Sequence, residues 1–118
     1  MPNRQQTSGR STTVPDRTRS QSKTESLVLR NYDGVCTQML TVTCRDCDGD
    51  VAFDRTVPVD PGETVSIHTH FERGVYRVEV RLDDDTTATA ACLIGDDPTE
   101  CALIETGNGT VSVTDGCC

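Results

Sequence analysis

The chain is short, 118 residues with a formal net charge of −8, which allows one domain at most. Residues 1–24 carry Arg4, Arg10, Arg17, Arg19 and Lys23 against Asp16 alone, a charge of +4, whereas residues 25–118 set six arginines against eighteen carboxylates, a charge of −12. So acidic a domain disfavours nucleic acid and anionic membranes, and no apolar run nears the ~18 residues needed to span a bilayer.

The first 25 residues are Ser, Thr, Arg, Gln and Gly with Pro2 and Pro15, too polar to bury surface that would offset the entropy of ordering. They read as a flexible basic arm preceding a domain at 26–118, with at most weak nucleic-acid contact. They contain no 7–15-residue apolar segment and no twin arginine, so no signal peptide is expected. That favours a cytoplasmic or virion-associated chain over a secreted one.

From Leu27 the texture changes to period-two alternation broken by turns, the pattern of an all-β sandwich. LVLRN at 27–31 is a strand, and NYDG turns the chain. CTQMLTVTC at 36–44 points Cys36, Leu40, Val42 and Cys44 inward. The stretch RDCDGD turns through Asp48-Gly49, after which VAFDRTVPV places Val51, Phe53 and Val57 inward. Pro58, Pro61 and Gly62 are expected to interrupt that strand. ETVSIHTHF buries Val65, Ile67 and Phe71 and leaves His68 and His70 on the wet face.

GVYRVEVRL alternates most cleanly, with Tyr76, Val78, Val80 and Leu82 in and Arg77, Glu79 and Arg81 out. After the acidic turn at 83–87, TATAACLI sets Ala88, Ala90, Cys92 and Ile94 on one side. CALIE and TVSVT flank Gly107-Asn108-Gly109, a strong hairpin signal because Asn and Gly accept positive φ. No stretch has a helical period. Seven to eight strands with short links imply an antiparallel sandwich.

The segments LVLRNYDG, TVTCRDCDGDVAFDRTVPVDPGETVSI and GVYRVEVRLDDDTTATA resemble the immunoglobulin-like β-sandwich domains of haloarchaeal proteins over residues 26–94. The composition points the same way: thirteen of nineteen acids are Asp, and no lysine follows Lys23. The resemblance implies a fold and a structural, surface or adhesion role, and it supplies no catalytic residues. Immunoglobulin-type domains bridge their sheets at positions resembling Cys44 and Cys92, though the usual tryptophan is absent.

Strand parity gathers six of the seven cysteines, Cys44, Cys47, Cys92, Cys101, Cys117 and Cys118, at one end of such a sandwich, with Cys36 at the other. Three chemistries compete there. A structural zinc would draw on Cys44 and Cys47, whose spacing suits a knuckle, with Cys117 and Cys118. Cys92 and Cys101 are the alternative ligands, and His68 and His70 are less favoured. Disulfides would pair Cys44 with Cys92 and Cys101 with Cys117, since closing the last hairpin brings Cys101 opposite Gly116. A redox pair at Cys44 and Cys47 is disfavoured by Asp46, Asp48 and Asp50 beside it.

No Ser-His-Asp arrangement, paired buried carboxylate or phosphate-binding glycine loop is present. The expected function is therefore a non-enzymatic structural or protein-interaction module of a halophile, suited to a larger surface or virion assembly. The alternative is a small cytosolic protein with a structural zinc site. The expected cofactor is accordingly none, or zinc.

Overall fold

A computed structural model describes residues 26–116. The basic arm, Cys117 and Cys118 lie outside that range. Eight strands form: β1 (Leu27–Asn31), β2 (Gln38–Arg45), β3 (Val51–Val59), β4 (Thr64–Ile67), β5 (Gly74–Arg81), β6 (Thr87–Ile94), β7 (Ala102–Gly107) and β8 (Thr110–Asp115). They make two four-stranded sheets, ordered β4-β1-β7-β8 and β3-β2-β5-β6. All pairings are antiparallel except β1 with β7, where Leu27 lies beside Ala102 and Asn31 beside Thr106. The expected sandwich is thus present, with that one parallel contact arising because both strands leave the same end.

Alternation decides what is buried. Leu27 and Leu29 on β1, Leu40 and Val42 on β2, Val78 and Val80 on β5 and Ile104 on β7 are wholly or almost wholly hidden between the sheets. Burying each such side chain contributes about 1.5–3 kcal/mol. Phe71 lies 5.0 Å from Tyr76 edge-on and 6.1 Å from Phe53, so three of the four aromatic rings form one cluster in the core. Asn31, 1 % exposed, donates both amide hydrogens, to the Val59 and Cys36 carbonyls at 2.9 Å each, and accepts from the Asp33 N–H. A buried amide with its bonds satisfied ties the end of β1 to the end of β3.

The turns follow their expected chemistry. Asn108 and Gly109 both take positive φ, 53° and 76°, which closes β7 on β8 with Ala102 opposite Asp115. The proline expectation fails in β3: the strand runs through Pro58 to Val59. It can do so because β3 is a sheet edge, where one side of the strand has no ladder for a proline to break.

Two other expectations are corrected. Val51 is 49 % exposed. The register slips between Cys44, opposite Phe53, and Arg45, opposite Val51, so one extra residue, Ala52, turns Val51 onto the outer face with Arg45. Cys36 does not open β2, which begins at Gln38; it lies exposed in the preceding loop.

Candidate functional site

The sandwich has one cysteine-bearing end, and its construction can be followed strand by strand. Arg45 at the close of β2 faces Arg77, early in β5, and Gly74 faces Ile94 at the close of β6. The Leu93 N–H donates to Asp115 Oδ1 at 3.1 Å, joining β6 to the end of β8 in the other sheet. The Gly116 N–H donates to the Cys101 carbonyl at 2.8 Å. Cys44, Cys47, Cys92 and Cys101 therefore share one end, and Cys36 lies at the other, where the Asn31 amide reaches its carbonyl.

Sharing an end does not make these thiols one site. Cys44 and Cys92 are fully buried on the core face, and both are free thiols. The expected bridge between them is absent because β2 and β6 belong to the same sheet with β5 between them. Burial pushes Cys44 up to about 12, helped by the nearby Cys92, and pushes Cys92 up to about 11, helped by Asp115. Both stay protonated at neutral pH. Cys47 is a free thiol exposed on the turn, so the pair in CRDCDG divides between core and solvent.

Cys101 is disulfide-bonded, and none of the other four described cysteines is its partner. His68 and His70 are exposed, but β4 ends at Ile67, so they occupy the following loop rather than one face of a strand.

The turn itself is organised by Asp46. Its Oδ1 accepts the Asp48 and Asp50 N–H groups at 3.0 and 2.9 Å, and its carbonyl accepts from Gly49, whose φ is 86°. Arg45 Nη1 donates to the Gly49 carbonyl at 3.1 Å. Asp46, Asp48 and Asp50 bring carboxylate oxygens within 4.8 Å of one another. Two of the three are exposed, and the third is used by the turn's own backbone.

A second feature, which the sequence concealed, is the outer face of the β3-β2-β5-β6 sheet. Six arginines follow residue 25. Arg30 pairs with Glu105 at 4.0 Å, Arg73 with Glu100 at 2.9 Å, and Arg55 lies 5.1 Å over the Phe53 ring. The remaining three, Arg45, Arg77 and Arg81, all point outward from this one sheet, and none makes an ion pair among the described residues. The signal available in the sequence was R-x-E-x-R at 77–81. That Arg45 stands directly opposite Arg77 depends on β2 neighbouring β5, which no local pattern reveals.

Among the described residues no helix is long and apolar enough to cross a membrane. A search of curated proteins found no match. Among solved structures the chain is similar to an NMR structure of a protein from Eubacterium rectale, with 12% identity and a TM-score of 0.41, covering 80% of this chain and 92% of that one. The sequence model of the halobacterial Ig-like domain matches residues 36–118, that is, everything from the loop before β2 onward. With most of its length matched and two β-sheets closed over one core, the chain belongs to the halobacterial Ig-like domain family.

Proposed function

We propose that this chain is a non-catalytic structural or protein-interaction module of a halophile, working as a component of a larger surface or virion assembly. What carries the reading is where its reactive groups are spent. Aspartates that could bind or catalyse instead hold turns: Asp46 as described, Asp84 accepting the Thr86 N–H at 3.0 Å, and Asp97 accepting the Thr99 N–H and hydroxyl at 3.0 and 2.8 Å. Those bonds hold the Asp84 and Asp97 carboxyls below their ordinary range, so they are fully charged in neutral solution. Cys44 and Cys92 serve as core packing. The result is a rigid scaffold with ionised turns, which supports a role in presenting surfaces rather than in transforming a substrate. Immunoglobulin-like domains in general act in this way.

Intact mass under native and denaturing conditions separates this from the zinc alternative built on Cys44, Cys47, Cys117 and Cys118. The module reading expects one mass in both conditions, that of the polypeptide less the hydrogens lost at the Cys101 disulfide. It also expects the chain to sediment with a larger assembly when cells are opened in molar potassium chloride. A zinc ion lost on denaturation, from a chain that sediments alone, would overturn it.

A further inference from the structure

Arg45 and Arg77 are directly opposite each other on neighbouring antiparallel strands. Like charges in that position repel and ordinarily destabilise a sheet. Arg81 extends the row one outward position beyond Glu79 on β5. The face carries three arginines against two carboxylates, Asp54 and Glu79, and Asp54 already accepts from the Thr43 hydroxyl at 3.3 Å. The rest of the domain sets three arginines against sixteen carboxylates. Half of the domain's positive charge is therefore concentrated where the isolated chain offers it no partner, in a protein with abundant acid elsewhere.

The surface between these arginines is shaped as well as charged. A shallow hollow of about 640 Å³ opens there, lined by Arg45, Arg77, Cys47, Val75, Thr89 and Ala91. Val75 is 58 % exposed, and Val51 stands beside Arg45 on the same face because of the bulge. Arg45 is steadied by its bond to Gly49, leaving the rest of its fork directed to the hollow's rim. A second hollow, sharing Arg45, continues along the face past Thr43 and Arg81.

We infer that this face docks an acidic polypeptide, whose carboxylates bridge Arg45 and Arg77 while aliphatic neighbours cover Val75 and Ala91. The inference rests on the interaction-module reading and names its partner. Carboxylate chemistry is favoured over nucleic acid on two grounds. The domain as a whole repels a polyanion duplex, and the counterion release that drives nucleic-acid binding fades in concentrated salt. Short-range bidentate pairing of guanidinium with carboxylate survives when the Debye length falls to about 3 Å.

The test titrates the full chain with short poly-L-glutamate in about 1 M potassium chloride, following backbone and arginine Nε–H resonances. Saturable shifts should centre on Arg45, Arg77 and Arg81. The R45Q/R77Q variant should bind roughly tenfold or more weakly and unfold at the same temperature or higher, since like-charge repulsion is relieved. The R30Q variant, altered on the opposite sheet, should bind as the parent does.

Equal weakening by R30Q would reduce the effect to net charge and overturn the proposal. So would shifts centred elsewhere, an equal response of the same arginines to inorganic phosphate or duplex DNA, or self-association that R45Q/R77Q abolishes, which would make the occupant a second copy. Failure here leaves the module reading standing if the chain is metal-free and sediments with an assembly. That reading falls separately, on a bound zinc.

Discussion

Among single residues, the thiols divide most sharply. Cys44 and Cys92 are wholly buried and remain protonated, while Cys36 and Cys47 are exposed and free. Only the thiolate is a good nucleophile. Iodoacetamide applied to the native chain at mildly alkaline pH should therefore modify Cys36 and Cys47 and spare Cys44 and Cys92 until denaturant is added, which peptide mapping reads directly. The same burial has a consequence for stability. Both groups have folded pKa values raised above the ordinary 9.0, to about 12 and about 11, so their contribution is complete below pH 9.0 and is lost as pH rises toward those values. Tyr76, raised by its burial and by Glu72 among other acids, acts in the same direction. Urea unfolding should show stability falling by roughly 1–3 kcal/mol between pH ~8 and ~11, and Cys92→Ala should flatten that limb.

At the scale of elements, the β2–β3 turn is held by one side chain. Asp46 accepts two backbone N–H groups, whereas the Asp48 side chain makes no hydrogen bond. Asp46→Ala should cost about 1–2 kcal/mol, Asp46→Asn much less, and Asp48→Ala almost nothing; thermal or urea melts of the three variants check the order. The C-terminal hairpin is comparably local. Gly109, at φ 76°, has open space where a Cβ would stand, so Gly109→Ala meets backbone strain alone and should cost about 1 kcal/mol. Both turns were legible because Asp-Gly and Asn-Gly encode their conformation within a few residues. The bulge at Ala52 was not legible. It arises from a mismatch between two strands, and each strand alone gives only a clean alternation.

For the whole molecule, charge density is the governing quantity. Residues 25–118 carry −12, much of it on turn aspartates that point to solvent. Their mutual repulsion is screened as the Debye length shrinks from about 10 Å at 0.1 M salt to about 3 Å at 1 M. The unfolding temperature should therefore rise between dilute buffer and molar potassium chloride, by calorimetry or circular dichroism, and a flat curve would remove the halophile argument. We further propose that the basic residues 1–25 are a dispensable arm: limited proteolysis should remove them and leave the melting transition of 26–118 unchanged, because Ser26 already enters the sheet by donating its N–H to Ile67 at 2.9 Å.

Much of this protein is decided by neighbours in sequence. Alternation of Val, Leu and Ile with Thr, Arg and Glu dictates strands and their buried sides, turn dipeptides dictate where the chain reverses, and strand parity with short links places Cys44, Cys47, Cys92 and Cys101 at one end. Tertiary structure decided the rest. Whether Cys44 and Cys92 could bridge depended on which strands share a sheet, and the answer, β2 and β6 in one sheet with β5 between, is set by long-range pairing. The outer arginine row is of the same kind. Arg45 and Arg77 are thirty-two positions apart, and only the antiparallel register of β2 with β5 makes them opposite neighbours, because cross-strand contacts are fixed by global packing rather than by local periodicity.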